Sequence, residues 1–259
     1  MLFAGDVRAT TVAYWNFDEG TPNQLFCEKP VADSSGAGNT MRGFDANLGP
    51  AYSALGDTPS GTGLCLDTLS GGRDGFVDSS TLNYWKPDQW TIEVTVWLDE
   101  TDGFLTVIGR DGSLSGGVLS DFYLQKYADT NEGKGSWRVD FSTVGGQRVT
   151  IDTSYPPKAK TWYQLAVTSD GANVRFYVND LSGDKGYQEV GSEALTGTAA
   201  AANALAANGS VWTFGRGWWS GVLLNHIDGK IDEIRFSDKA LKLTQLINIR
   251  KSGAVRSQP

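Results

Sequence analysis

Residues 91–98 have the sequence Thr91-Ile-Glu-Val-Thr-Val-Trp-Leu98, in which every second side chain is apolar and aliphatic. Ile92, Val94, Val96 and Leu98 share one face, and the opposite face carries Thr91, Glu93, Thr95 and Trp97. Side chains of a strand alternate between the two faces of a sheet, so this spacing predicts a half-buried β-strand. The same alternation recurs over residues 136–141, 162–168 and 173–178, which predicts three more strands.

Turn residues separate the predicted strands. Asp170-Gly171 stands between two of them and is the strongest hairpin signal in the chain. Many short strands at regular spacing indicate an all-β antiparallel sandwich of the jelly-roll type rather than alternating βαβ units. Ser237 is a candidate N-cap for a short C-terminal helix over residues 238–250. The glycine- and alanine-rich residues 181–210 predict a long loop or a weakly ordered inserted excursion, with a short helix over residues 199–207 as an alternative.

Composition and charge narrow the range of functions. The chain has 259 residues, 40% of them hydrophobic, and its 22 basic and 30 acidic residues give a net charge of −8. This content suffices for a packed core, and no linker divides the chain, so we expect one domain over residues 1–259. The acidic balance argues against nucleic acid as a partner. No apolar run approaches the roughly 18–20 residues of a membrane span, so no membrane insertion is expected.

Counts of reactive residues exclude several kinds of site. His226 is the single histidine, so neither an HExxH zinc site nor a three-histidine site is available. Cys27 and Cys65 are the two cysteines, too few for a Cys₄ metal site. Neither GxxxxGK[ST] nor GxGxxG occurs, so the usual phosphate-binding loops are missing.

An ordered set of segments carries a family resemblance. The segments are Ala13-Tyr-Trp-Asn-Phe-Asp-Glu-Gly20, Asp33-Ser-Ser-Gly-Ala-Gly-Asn39, Gly63-Leu-Cys-Leu-Asp67, Trp90-Thr-Ile-Glu-Val-Thr-Val-Trp97, Thr161-Trp-Tyr-Gln-Leu-Ala-Val-Thr168, Val174-Arg-Phe-Tyr-Val-Asn179 and Gly229-Lys-Ile-Asp-Glu-Ile-Arg-Phe236. Together they resemble the laminin-G-like jelly-roll domains of the concanavalin A-like lectin/glucanase superfamily. The resemblance covers a core of about residues 12–247. It implies two face-to-face antiparallel sheets, one of them concave, and a secreted or cell-surface setting, although no signal peptide is visible at the start of the chain.

The resemblance also implies a structural calcium ion near the junction of the chain's ends. Calcium prefers six to eight oxygen ligands. Asp18, Asp33, Asn39 and Asp232 are the candidate ligands, because they lie on the first strand, a glycine-rich turn and the last strand. The alternative is that Asp33 and Asn39 hydrogen-bond local backbone, as such residues often do in turns.

Two aromatic pairs are candidates for carbohydrate binding. Gly215-Arg-Gly-Trp-Trp-Ser-Gly221 places Trp218 and Trp219 among glycines, where an indole can stack on a sugar ring while Arg216 donates hydrogen bonds. Tyr84 and Trp85 form the second pair. The alternative is core packing, because successive strand residues face opposite ways and one member of each pair is then buried.

The sequence gives less support for catalytic residues than for carbohydrate-binding residues. The ExDxxE motif of laminarinase-like enzymes on this fold is absent, as are the motifs of the alginate lyases. Glu93 and Asp140 are candidates for a shared sheet face, since glycosidases need two carboxylates roughly 5–10 Å apart. His226 with a tyrosine is the corresponding candidate for a polysaccharide lyase.

The two cysteines allow a disulfide. A Cys27–Cys65 bond would stabilise the fold by about 3–4 kcal/mol through the unfolded state. The alternative is a buried thiol at Cys65 and an unpaired Cys27.

These features predict a non-catalytic, lectin-like module that recognises a carbohydrate or polysaccharide. Two alternatives remain open at this point. One is a polysaccharide-degrading enzyme, either a glycoside hydrolase or a polysaccharide lyase, on the same fold. The other is a module for adhesion to a protein partner, because this fold serves all three roles.

Overall fold

The computed structural model describes residues 9–44, 49–69, 72–112, 120–129 and 135–249. In these residues strands pair antiparallel in two large sheets and one short ribbon. The sheets enclose a common apolar core. The predicted antiparallel β-sandwich is therefore confirmed.

The strands are short and the helices shorter still. The strands are β1 (Thr11–Trp15), β2 (Arg42–Gly43), β3 (Ala51–Tyr52), β4 (Leu66–Asp67), β5 (Gly75–Val77), β6 (Trp90–Leu98), β7 (Leu105–Arg110), β8 (Phe122–Lys126), β9 (Trp137–Ser142), β10 (Arg148–Asp152), β11 (Trp162–Ser169), β12 (Asn173–Asp180), β13 (Gln188–Ala194), β14 (Trp212–Phe214), β15 (Gly217–Trp219), β16 (Val222–Leu224) and β17 (Gly229–Ser237). The helices are α1 (Ser80–Asn83) and α2 (Ala200–Asn203). No helix in the described part of the chain is long and apolar enough to cross a membrane.

Sequence neighbours are often not sheet neighbours. Sheet A has the order β13-β12-β11-β6-β17-β4-β3, and β1 pairs with β17 beside β4. Sheet B has the order β10-β9-β8-β7-β14-β5-β2. The ribbon of β15 and β16 packs against β7 of sheet B. The first and last strands thus meet at β17, as predicted.

The core lies between the two sheets and follows the predicted alternation. Ile92 and Val94 of β6 point into it, and so do the inward residues of β11 and β12. Large aromatic side chains fill much of the space, and four of them are fully buried tryptophans: Trp15, Trp90, Trp137 and Trp212.

The predicted hairpin joins β11 to β12. Gly171 has a φ of +86°, a left-handed conformation that glycine adopts without strain. The Asp170 carboxylate accepts hydrogen bonds from the backbone amides of Ala172 and Asn173, at 2.9 and 2.7 Å. The turn chemistry and the register therefore agree with the sequence.

The predicted C-terminal helix is wrong. Only Leu243–Gln245 forms a 3₁₀ turn, and residues 238–249, here called the strap, otherwise run extended across the outer face of sheet A. The Ile247 amide donates to Glu93 Oε1 at 2.7 Å, and Thr91 Oγ1 donates to the Lys239 carbonyl at 2.7 Å. These bonds to the sheet replace the intrahelical bonds that the spacing of apolar residues had suggested.

Residues 181–210 are more ordered than predicted. They contain β13, which extends sheet A at its edge, and the single-turn helix α2. Strand β13 has little apolar content, so its position rests on backbone pairing with β12, which composition does not reveal.

The disulfide that the two cysteines allow is not formed, and both are free thiols, as in the alternative stated from the sequence. Cys65 is buried, and its thiol donates to the Asp57 carbonyl at 3.2 Å. Burial raises the pKa of the Cys65 thiol well above its ordinary value. Cys65 therefore acts as a small buried side chain.

Candidate functional site

The predicted aromatic platform is only partly exposed. Trp218 is 3% exposed, because the β15–β16 ribbon turns its indole inward and Tyr123 donates a hydrogen bond to the Trp218 carbonyl. Trp219, the next residue, is 47% exposed. The alternative stated from the sequence therefore holds for this pair, and only Trp219 is accessible to a ligand.

The Arg216 guanidinium lies in a buried ion-pair network. Its Nε donates to Asp74 at 3.0 Å, and its two terminal nitrogens donate to the Asp111 carboxylate at 2.7 and 3.1 Å. Burial raises the pKa of Asp74 to about 7, although the Arg216 charge acts in the opposite direction. Arg216 is therefore a structural residue rather than the predicted donor to a sugar.

The second aromatic pair is also divided. Tyr84 is exposed at the C-terminal end of α1, whereas Trp85 stacks on Phe236 of the core with ring centroids 5.7 Å apart. No contact among the described residues joins Tyr84 to Trp219. The two pairs therefore do not form one platform.

The four predicted metal ligands are not brought together. Asp33 accepts backbone hydrogen bonds from Tyr14, Ser35 and Asn39 at 2.9–3.0 Å. The Asn39 amide donates to Asp33 and to the Val12 carbonyl, both at 3.0 Å. Asp33 and Asn39 therefore stabilise the turn, which was the alternative stated above.

Asp18 and Asp232 instead line one acidic pocket with Glu233. Its volume is about 250 Å³, and hydroxyl-bearing residues from the loop at residues 58–64 complete its wall. The β17 bulge between Asp232 and Arg235 turns both acidic side chains toward the pocket, and Glu233 has a φ of +50°. Within the described ranges, no group of three His, Cys, Asp or Glu side chains is arranged to hold a metal ion.

The carboxyl groups of the acidic pocket lie close enough for their charges to repel each other. Burial raises the pKa of Asp232 well above its ordinary value, and the neighbouring charges of Glu233 and Asp18 raise it further. Burial likewise raises the pKa of Glu233, which accepts a hydrogen bond from the Tyr14 hydroxyl. A proton, a cation or a hydrogen-bond donor in this pocket would relieve the repulsion.

A second and larger cavity, here called the Trp pocket, opens on the outer face of sheet A. Trp97 ends the outward row of β6, and Trp162 begins β11 directly opposite it. Their ring centroids lie 5.8 Å apart at an interplanar angle of 56°, and both side chains are partly exposed. The cavity has a volume of about 680 Å³.

Polar groups surround the two indoles. Asn179 of β12 and the side chains of Lys160 and Lys185 line the cavity, together with the loop at residues 181–186. The Trp97 indole donates to Asp99 at 3.2 Å, which fixes the orientation of the ring. The arrangement offers two aromatic faces next to amide and ammonium donors, in a cavity large enough for a small organic ligand.

The candidate catalytic residues are dispersed. Glu93 is buried on sheet A, where Arg235 pairs with it at 2.6 Å, and Asp140 lies on β9 of sheet B. The two candidates therefore share no sheet face, and Glu93 has a structural role through Arg235 and the Ile247 amide. His226 is half-buried, and burial lowers its pKa. No described contact brings His226 to a tyrosine hydroxyl.

The family assignment rests on a match to most of the chain. A laminin G family model, described as the concanavalin A-like lectin/glucanases superfamily, matches residues 70–246. The chain belongs to this superfamily. The match spans both sheets of the sandwich, including β6, β11 and β17, so the resemblance stated from the sequence is confirmed.

Solved structures of the superfamily fold include carbohydrate-active proteins. Domain 4 of AbnA, a GH43 extracellular arabinanase from Geobacillus stearothermophilus in complex with arabinotriose, is 17% identical with a TM-score of 0.57, and the match covers 92% of this chain and 96% of that one. The botulinum neurotoxin serotype C1 binding domain is 11% identical with a TM-score of 0.57, covering 91% and 50% of the two chains. Trypanosoma rangeli sialidase in complex with the inhibitor DANA is 12% identical with a TM-score of 0.52, covering 90% and 31%.

These likenesses show the fold alone. This chain spans about half of the neurotoxin binding domain and about a third of the sialidase chain. Among curated protein sequences, none matches this chain.

The Trp pocket was missed in the sequence, although part of its signal was present. The alternation of residues 91–98 places Trp97 outward, away from the core. Trp162 precedes a strand whose inward face begins at Tyr163, so it is outward as well. Two outward tryptophans on different predicted strands are the pattern that indicates a surface aromatic cluster.

Proposed function

We propose that this protein is a non-catalytic carbohydrate-binding module, lectin-like in function, that holds its ligand in the Trp pocket. The observation that carries the proposal is the cross-strand pair of Trp97 and Trp162, which lines a cavity together with polar residues. A sugar ring has an apolar face and a hydroxyl-bearing rim. The two indoles can stack on the apolar face of the ring, and Asn179, Lys160 and Lys185 can form hydrogen bonds with the hydroxyls of its rim.

The setting that we propose is secreted or at the cell surface, within a system that recognises polysaccharides. Support comes from AbnA domain 4, which belongs to an extracellular arabinanase and was solved with arabinotriose. That domain and this chain match over nearly their whole lengths, so a module of this size is sufficient for such a role.

A glycan-array screen with calcium present tests this proposal. We expect retention of at least one neutral oligosaccharide by the full chain, and no new reducing ends when the retained glycan is incubated with the protein. A matched measurement with Trp162→Ala should show loss of retention. An array without any retained glycan would contradict the proposal and leave the protein-adhesion alternative, for which Trp219, Val222 and Leu223 form an exposed apolar ribbon tip.

Glycoside hydrolysis is the second candidate function. The observation that favours it is the raised pKa of Asp232 and Glu233 in the acidic pocket, which lies beside the Trp pocket and shares Ile249 with it. A raised pKa is the change that suits a carboxyl group to act as a general acid. Release of product from an array hit, lost in Glu233→Gln, would establish this candidate in place of the first.

A structural calcium ion is a further part of the proposal. Asp18 and Asp232 of the predicted ligand set line the acidic pocket together with Glu233. The three carboxylates are not arranged as a metal site in this structure, so a calcium ion would have to draw them closer together. Calcium favours carboxylate and hydroxyl oxygens of this kind, and its charge would offset the repulsion among the three acids. It would brace the loop at residues 58–64 against β17.

Chelation should therefore lower the melting temperature of the full chain. At a calcium concentration one hundred times its Kd, the ion adds about 2.7 kcal/mol of stability, and we expect a shift of about 5–10 °C. Asp232→Asn should abolish the calcium-dependent shift. Asp33→Asn is the control, because a residue that only stabilises its turn should leave the shift intact. A melting temperature that is independent of calcium would overturn the calcium proposal.

A further inference from the structure

Four neighbouring strands of sheet A carry one polar row on their outer face. Asp232 of β17 pairs with Thr95 of β6, Thr95 with Gln164 of β11, and Gln164 with Asn179 of β12. All four side chains are at most 5% exposed. With strands about 4.8 Å apart, the row extends about 14 Å across the sheet.

The middle of this row lacks hydrogen-bond partners. The Asn179 amide donates to Gln164 Oε1 at 2.8 Å, which satisfies one end of the Gln164 side chain. The other end, Gln164 Nε2, and the Thr95 hydroxyl have no partner among the described residues. Leaving a buried polar group unpaired costs about 1–3 kcal/mol. A row of such groups is therefore better explained by a ligand than by packing.

The row connects the two pockets. Asp232 lines the acidic pocket at one end, and Asn179 lines the Trp pocket at the other. Ile249 lines both pockets, so the end of the strap lies between them, over the unpartnered middle of the row.

The strap is firmly held up to Ile247 and weakly held beyond it. The Ile247 amide donates to Glu93 at 2.7 Å, and its carbonyl accepts from the Tyr187 hydroxyl at 2.9 Å. Asn248 and Ile249 make no hydrogen bond with any described residue, and Asn248 is exposed. A displacement of these two residues would therefore break no hydrogen bond between described residues.

We propose that the Trp pocket, the polar row and the acidic pocket form one groove for a neutral oligosaccharide, closed in the middle by Asn248 and Ile249. The inference rests on the proposed function and adds its regulation. A short saccharide occupies the Trp pocket alone. A longer one lifts the strap end, and its hydroxyls pair with Thr95 and Gln164. An anionic saccharide is disfavoured because the far end of the groove is acidic.

Calorimetric titration with disaccharides and hexasaccharides of xylan, cellulose, mannan and arabinan tests this groove. For the polymer that binds, we expect the full chain to bind the hexasaccharide about tenfold more tightly than the disaccharide. Asn248→Gly with Ile249→Gly should strengthen hexasaccharide binding several-fold, because lifting the strap no longer reduces the apparent affinity. Because Asn248 and Ile249 also line the Trp pocket, the readout is the ratio of hexasaccharide to disaccharide affinity, which should rise several-fold. Leu243→Ala is the control, since Leu243 lies on the strap but lines neither pocket.

Thr95→Val distinguishes a ligand contact from a structural role. The Thr95 hydroxyl has no partner among the described residues, so its removal should leave the melting temperature unchanged or raise it. Hexasaccharide binding should weaken by up to about tenfold, the equivalent of one hydrogen bond, with disaccharide binding unaffected.

The failures of the two proposals are separable. If the disaccharide binds and the hexasaccharide binds no more tightly, the groove is refuted but the Trp pocket remains the proposed binding site. Equal hexasaccharide affinities for Thr95→Val and the unaltered chain would have the same consequence. Absence of binding by all eight saccharides, in both the unaltered chain and the glycine variant, would refute the proposed function and the groove together.

Discussion

Replacing Trp162 by alanine is expected to weaken glycan binding by a factor of about 30 or more, and Trp97→Ala with Trp162→Ala should abolish it. Tryptophans at the centre of a binding site typically contribute about 2–4 kcal/mol each when truncated. The two indoles supply the apolar faces of the pocket, whereas its polar groups are individually replaceable by water. Titration calorimetry with the array-selected glycan measures the loss.

Trp219→Ala is the matched control for this experiment. Trp219 is a tryptophan that is half exposed, but it lies on the ribbon against sheet B, away from the Trp pocket. Its removal should leave binding unchanged, and thermal unfolding should show all three variants folded. If Trp219→Ala abolished binding while Trp162→Ala did not, the site would return to the platform predicted at residues 215–221.

The sequence predicts which face of a sheet a side chain occupies better than it predicts which residues lie next to each other in the fold. Alternation over residues 91–98 correctly separates inward Ile92 from outward Trp97. That Trp162 lies beside Trp97 depends on the register of β11 with β6, which is set by the whole sheet. The sequence therefore predicts two outward-facing tryptophans, but it does not predict the distance between them.

Local composition was misleading around Trp218. A glycine-rich segment was expected to be an exposed loop, but its glycines allow close packing instead. A Cβ at Gly217 would lie 2.7 Å from Thr106 Oγ1, so only glycine lets the ribbon approach β7 this closely. The same approach turns Trp218 inward and leaves Trp219 outside.

The ion pairs of Arg216 could not be predicted from the sequence, because their partners lie far away along the chain. Arg216 meets Asp74 and Asp111 across separations of 142 and 105 residues. No spacing rule links positions so far apart, and an arginine between glycines was more readily assigned to a ligand. Burial in the fold, rather than the residue type, decides the role of Arg216.

Arg216→Ala is expected to lower the free energy of unfolding by about 3–5 kcal/mol, measured by urea denaturation at pH 8. Removing one partner of a buried ion pair leaves the other charge uncompensated, which costs far more than the loss of a surface pair. Asp74 is almost fully buried, so water cannot replace the guanidinium. A loss below about 1 kcal/mol would show that the network contributes little.

The pH dependence of this loss identifies the charge responsible for it. The folded protein holds the Asp74 proton more tightly than the unfolded chain, since burial raises its pKa from 3.8 to about 7. Between pH 3.8 and about 7 the unfolded chain ionises Asp74 while the folded protein keeps the proton, so stability falls as the pH rises through this window and levels off above it. Without Arg216, whose charge lowers that pKa, the folded variant ionises Asp74 only at still higher pH. The stability gap between the unaltered chain and Arg216→Ala should thus be smallest near pH 5 and widen as the pH rises above 7. Adding Asp74→Asn to Arg216→Ala should remove the widening. A gap that stays constant from pH 5 to pH 9 would assign the loss to Asp111 or to packing instead.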